Sequence, residues 1–204
     1  GYGQVYESNS LTLSSALMQA SLPPPKVYRV EDQLESLAKT LEDALENSDI
    51  VLLTGGISVG DYDFTLKASE VCGVETVFHK NRQKPGKPIL FGRKGTKLVF
   101  GLPGNPASVL TCYYEYVLEA ISILQNRSIT LFQQKAQLVN HYKKTVGITH
   151  FLKGQVNGDT VLSLDGQESY KLNSFAKANC LIIIPENSSV CEAGELVEIH
   201  CLPI

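Results

Sequence analysis

IVLLTGGISVGDYD, Ile50 to Asp63, is the stretch on which the fold of this 204-residue chain turns. Its opening IVLL is a short continuous apolar run, the pattern of a strand buried on both faces of a sheet. It runs directly into a loop of unusual chemistry. Gly55, Gly56 and Gly60 let backbone amides come close to an anion, Thr54 and Ser58 add hydroxyls, and Asp61 and Asp63 add carboxylates. The loop matches neither the G-x-x-x-x-G-K-[ST] phosphate loop nor the G-x-G-x-x-G dinucleotide turn. Taken alone, it also reads as a tight strand-to-helix turn.

Upstream, Leu34, Leu37, Ala38, Leu41 and Leu45 recur at helical spacing with acidic residues between them. Further back, Ser8 or Asn9 is suited to cap a helix through LTLSSALMQA, which the prolines at 23–25 end, and Lys26 to Val30 reads as a short strand. Downstream, a helix is predicted from about Phe64 to Cys72, with Gly73 as its C-terminal cap, followed by the strand VETVFH. PILFG and KLVFG flank GRKGTK as a hairpin. In GLPGNP, Asn105 as cap and Pro106 at the first helical position start the long apolar helix ASVLTCYYEYVLEAISIL.

These elements predict an α/β layer structure with a mostly parallel sheet over residues 1–126. QNRS, 125–128, reads as a linker. Beyond it only short strand-like runs occur (QLVN, ITHFLKG, TVLSL, CLIII and LVEIH), which predict a small all-β domain over 127–204.

Composition narrows the partners. A formal net charge of -3 lacks the basic excess of a nucleic-acid binder, so any anion site must be local. Cys72, Cys112, Cys180, Cys191 and Cys201 form no C-x-x-C pair, which suits reduced structural thiols in a cytoplasmic setting. No uninterrupted apolar run reaches the roughly 18 residues of a membrane span, so no membrane partner is expected. The four histidines are scattered without ligand spacing, and Tyr113, Tyr114 and Tyr116 read as packing residues.

Ligands of open α/β sheets collect at the carboxyl ends of the strands. Three loops leave such ends here: TGGISVGDYD, then HKNRQKPGKP with Lys80, Arg82, Lys84 and Lys87, then GLPGNPASV at a helix start. Lysines attract oxyanions, and a helix N-terminus favours negative charge. Three anion-friendly loops at successive strand ends point to one anion site rather than three accidents.

Together, YESN (6–9), TGGISVGDYD (54–63), KPGKP (84–88) and GLPGNPAS (101–108) resemble the molybdopterin molybdenumtransferase family, which includes bacterial MoeA, plant Cnx1 E domains and the gephyrin E domain. The resemblance implies a MogA-like three-layer domain followed by the family's C-terminal β domain. It implies insertion of molybdenum from molybdate into adenylylated molybdopterin, with Mg²⁺ and release of AMP, in a protein that is a homodimer. Asp63, Lys80 and Lys84 match its catalytic positions. Ser8, Asn9, Thr54, Gly55, Gly56, Ser58, Gly60, Lys87, Pro103, Gly104, Asn105 and Pro106 match the surroundings of its pterin and molybdate. Glu7, where the family has Asp, and Asp63 are the implied Mg²⁺ carboxylates, while GQESYKL (166–172) stands where the family has a GQGSGML-like segment. The family's two N-terminal domains and the first strand of its α/β domain have no counterpart in these residues, so the resemblance implies the C-terminal part of a longer enzyme. The alternatives are a MogA-like adenylyltransferase, a CinA-like nucleotide hydrolase, and a gephyrin-like scaffold.

Overall fold

The computed structural model describes residues 8–55 and 64–203. Helix α1 (Asn9–Gln19) has Ser8 at its N-cap, but no side chain caps it; the Ser8 carbonyl instead accepts bonds from the Thr12 amide at 3.0 Å and hydroxyl at 2.8 Å. The expected Ser/Asn cap is therefore corrected: Asn9 is already helical, and its amide group is engaged elsewhere. The segment Lys26 to Val30 forms no strand. Its side chains make local contacts instead: the Lys26 ammonium sits 4.6 Å above the Tyr28 ring and 3.6 Å from Asp43.

Helix α2 (Leu34–Asn47) buries Leu37, Leu41, Ala44 and Leu45, the stripe its spacing predicts. Strand β1 (Ile50–Thr54), helix α3 (Phe64–Val71) and strand β2 (Glu75–His79) follow; Gly73 takes the left-handed φ of +72° between the last two. The two-residue strand β3 (Gln83–Lys84) lies inside the basic loop. Strands β4 (Leu90–Lys94) and β5 (Lys97–Leu102) form the predicted hairpin, with Gly95 at φ +60° in its turn. Helix α4 (Pro106–Cys112) continues through one π turn (Tyr113–Val117) into helix α5 (Leu118–Gln125). By length and composition alone this 20-residue stretch could cross a membrane, at mean hydropathy 1.2. However, 56% of its apolar window is buried within the protein, and Glu115 and Glu119 interrupt it, as in the core helix of a globular fold.

The chain divides into two compact units. The first comprises the described residues up to Lys80 with Pro88–Leu110, and the second Asn81–Lys87 with Thr111 onward. In the first, strand order is β1-β5-β4-β2. The β1–β5 pair is parallel, while β5–β4 and β4–β2 are antiparallel. Among the described residues the sheet is thus mixed rather than mostly parallel. The two-residue turn between β4 and β5 can only return the chain antiparallel, since a parallel pair needs a crossover of a dozen or more residues. The α/β class itself stands. Leu41, Leu45, Val51, Ala68, Val74, Leu90 and Val99 fill the core under α2 and α3, each fully buried aliphatic contributing about 1.5–3 kcal/mol.

In the second unit, strands β6 (Phe132–Leu138), β7 (Tyr142–Lys143), β8 (Thr149–Asn157), β9 (Thr160–Ser163), β10 (Cys180–Ile184), β11 (Val190–Cys191) and β12 (Leu196–Cys201) give the expected all-β architecture. β8 pairs with β10, β10 with β12, β12 with β6, β6 with β9, and β9 with β8, so the sheet closes on itself. Closure removes the exposed edges that a five-stranded sheet would otherwise carry. β3 adds in parallel at the start of β8, with Gln83 opposite Thr149 and Lys84 opposite His150. Leu138, Leu152, Val161, Ile182, Ile184 and Ile199 form the core. The π turn is joined to this sheet by Glu115, which lies 2.9 Å from Nδ1 of His200 on β12. Tyr114 stacks on Phe175 at 6.3 Å.

Candidate functional site

The C-terminal ends of β1 and β5 are neighbours, because the parallel register sets Thr54 beside Leu102. Two of the three loops singled out in the sequence therefore leave the first unit's sheet side by side. Gly55 turns at φ +78°, a conformation that favours glycine, and a side chain built on Gly104 would come within 3.9 Å of the Gly55 Cα. Thr65, in the first turn of α3, donates its hydroxyl to the Gly55 carbonyl at 3.3 Å. From α1, Asn9 donates its side-chain amide to the Gly104 carbonyl at 2.9 Å, across 95 residues of sequence. Asn9 Oδ1 is buried with no hydrogen-bond partner among the described residues. An acceptor left so costs about 1–3 kcal/mol, which a ligand donor would recover.

Thr54, Gly55, Gly104 and Asn9 are thus brought together by the first unit. Pro103 is buried between β5 and Gly104, Asn105 stands at the cap position with its carbonyl accepting from the Val109 amide at 3.0 Å, and Pro106 opens α4. Ser8 lies one residue before Asn9. Lys80 also belongs to this unit; it is exposed, at φ +70°, and its amide donates to the Ile89 carbonyl at 2.8 Å.

Lys84 and Lys87 belong to the second unit, although the sequence presents them in one run with Lys80. Both are exposed, while Gln83 between them and Asn81 is 3% exposed. Gln83 accepts from the Tyr116 hydroxyl and from Asn81 Nδ2 at 3.2 Å. Its Nε2 donates to the Pro85 carbonyl at 3.0 Å and to Cys112 Sγ at 3.8 Å. The Asn81 amide closes the loop on the Lys87 carbonyl at 2.9 Å. Beside Lys84, His150 is pushed down to about 4, by burial first and then by the charges of Lys84 and Lys144. Its ring is therefore neutral at pH 7 and pairs through Nδ1 with the Tyr142 hydroxyl at 2.8 Å.

Glu7, Gly56, Ser58, Gly60 and Asp63 lie outside the described residues. Among the described residues no group of three or more His, Cys, Asp or Glu comes together, so they form no cradle for Mg²⁺ by themselves.

Sequence reading missed several side chains that shape these loops. Gln83 carries no signal in the sequence, and Tyr116 reads only as a packing residue; nothing in their spacing marks them. Lys153 is 2% exposed in β8, where burial lowers its pKa against the opposing pull of Glu168. It donates to the carbonyls of Gly166 at 2.7 Å and of Glu168 and Lys171 at 3.3 Å, holding the GQESYKL loop. A lysine in the middle of an apolar strand run was the available signal.

The first unit thus carries a glycine-rich turn at the ends of β1 and β5, and the second carries Lys84 and Lys87 on a loop held by the buried amide of Gln83. Residues 2–122 match the family described as a probable molybdopterin binding domain, and residues 135–202 match the MoeA C-terminal region, domain IV. The chain belongs to the MoeA family. It is 32% identical over 209 aligned residues to molybdopterin molybdenumtransferase of Haemophilus influenzae, covering 97% of this chain and 50% of that protein. To the protein of the same name in Bacillus subtilis it is 28% identical, covering 97% and 47%. The solved structure of the molybdopterin biosynthesis moea protein from Pyrococcus horikosii superimposes with a TM-score of 0.83 at 28% identity, covering 98% of this chain and 49% of that one. The chain spans about half the length of the curated relatives it matches.

Proposed function

We propose that this chain takes part in molybdenum cofactor biosynthesis as the pterin- and molybdate-handling part of a molybdopterin molybdenumtransferase. Molybdenum from molybdate is inserted into adenylylated molybdopterin, and AMP is released. The observation that carries the reading is the approach of Gly104, after β5, to Gly55, at the end of β1, where Asn9 donates to the Gly104 carbonyl and keeps its Oδ1 buried without a hydrogen-bond partner among the described residues. Glycine backbone there lets a phosphate or pterin edge approach amides closely. The α4 start at Asn105 and Pro106 favours negative charge. The match of residues 135–202 to the MoeA C-terminal region favours this reading over an adenylyltransferase or a nucleotide hydrolase.

In this reading Lys80, Lys84 and Lys87 offset the charge of molybdate and phosphate, and Asp63 and Glu7 supply hard oxygen ligands for Mg²⁺. Asp63, Lys80 and Lys84 are the catalytic group; Ser8, Asn9, Thr54, Gly55, Gly56, Ser58, Gly60, Lys87 and residues 103–106 surround the ligand. The five free cysteines suit a reducing, cytoplasmic compartment, and the family resemblance suggests a homodimer. Calorimetric titration of the chain with molybdopterin-AMP and with molybdate tests the assignment. Binding is expected, with loss in Asp63→Ala and Lys84→Ala; unchanged binding in both variants overturns it.

A further inference from the structure

Lys84 is one of the anion-binding groups proposed above, yet a lysine on an open loop is a poor binding group. Its ammonium ranges over many rotamers, and ordering such a side chain has an entropic cost. The structure around it limits that freedom at the backbone. We infer that Gln83 is a positioning residue, a buried amide hub that holds the KPGKP loop in the one arrangement that presents Lys84 and Lys87 outward together. This rests on the reading of those lysines as anion ligands.

Three observations carry the inference. First, successive side chains of a strand point to opposite faces, so fixing Gln83 inward in β3 fixes Lys84 outward. Gln83 is buried and Lys84 exposed, as this requires. Second, the Gln83 amide is fully used. Its oxygen accepts from Tyr116 and Asn81, and its nitrogen donates to the Pro85 carbonyl and the Cys112 sulfur. Two of these partners, Asn81 and Pro85, bracket Lys84 in the loop; the other two, Cys112 and Tyr116, lie one turn apart on the helix. A side-chain amide with all its groups bound has one favourable orientation, and a buried network of this kind specifies geometry better than apolar packing does. Third, the same network reaches Lys87, because Asn81, which donates to Gln83, also binds the Lys87 carbonyl through its amide. His150 is kept neutral beside Lys84, so the loop's charge is neither offset nor repelled at that position.

The test compares the whole chain with Gln83→Met, which keeps length but removes both polar ends, and with Tyr116→Phe, which removes one bond and keeps the ring. Amide hydrogen exchange of Asn81, read by NMR, reports the loop without any ligand. It is expected to accelerate at least tenfold in Gln83→Met and by a smaller factor in Tyr116→Phe, with β8 and β10 amides unchanged. Molybdate titration at fixed ionic strength is expected to show affinity falling about tenfold in Gln83→Met although every lysine remains, and to be largely restored in Gln83→Asn relative to Gln83→Met. Unchanged Asn81 exchange in both variants, or unchanged molybdate affinity in a Gln83→Met chain with accelerated exchange, overturns the inference. If Gln83→Met does not fold, Tyr116→Phe decides on the same two readouts. If the wild-type chain binds no molybdate, the functional reading fails, and the exchange measurement still decides whether Gln83 holds the loop.

Discussion

Replacing Glu115 by Gln tests how the π turn is fastened to the β unit. His200 lies between two carboxylates, with Nδ1 2.9 Å from Glu115 and Nε2 3.2 Å from Glu198. The Glu115 and His200 side chains are only 8% and 13% exposed, so solvent screens the inner pair little. Burial pulls the His200 pKa down, but the hydrogen bonds and charges of Glu115 and Glu198 outweigh it, and the net shift is upward. A histidine whose folded pKa exceeds its unfolded value of about 6.5 contributes stability that is fully present below that value and lost as pH rises through the folded pKa. Glu115→Gln keeps the shape and removes the charge. A hydrogen bond to a charged group contributes about 1.5–3 kcal/mol, so a loss of about 2 kcal/mol is expected below pH 6. For a chain of this size that corresponds to a fall of about 4–8 °C in melting temperature. Above the raised His200 pKa, where the ring is neutral in both proteins, the difference should nearly vanish. Thermal unfolding at about pH 5.5, below the unfolded histidine value, and at a pH above the His200 titration measured by NMR tests this, and that titration should itself lie lower in the variant. Equal destabilisation on both sides of the titration, or an unmoved His200 titration, refutes the reasoning.

Three further outcomes follow from the packing and hydrogen bonds. Gly154→Ala would set a methyl 2.7 Å and 2.8 Å from Ile182 side-chain carbons and 3.0 Å from Cys180 Sγ in the closed sheet. Overpacking of this kind costs about 1–3 kcal/mol in chemical denaturation, and adding Ile182→Val should recover part of it. Asn9→Ala removes the bond to the Gly104 carbonyl and should cost about 1 kcal/mol in stability while weakening molybdopterin-AMP binding by calorimetry. Lys153→Met leaves the carbonyls of Gly166, Glu168 and Lys171 without their shared donor, which should cost about 1–3 kcal/mol and expose the 166–171 loop to limited proteolysis.

The sequence alone determined the secondary elements whose signal is local. The α2 stripe, the β1 apolar run, the hairpin around Gly95 and the Asn105-Pro106 helix start all lie within windows short enough for periodicity and turn chemistry to specify them. The chemistry of the loops was legible for the same reason, since glycines and lysines announce anions wherever the chain carries them. What the tertiary structure decided is which of these meet. Asn9 reads as a helix cap but lies within α1, and the fold brings its side-chain amide to the Gly104 carbonyl, 95 residues away. The basic run looked like one loop, but β3 pairs with β8 and takes Lys84 and Lys87 into the second unit while Lys80 stays in the first. Gln83 had no readable role, and Lys153 only the signal of a lysine in an apolar strand run, because a buried polar side chain is defined by partners that only long-range folding supplies. Local patterns carry propensity and charge; hydrogen-bond satisfaction in the interior is a property of the whole fold.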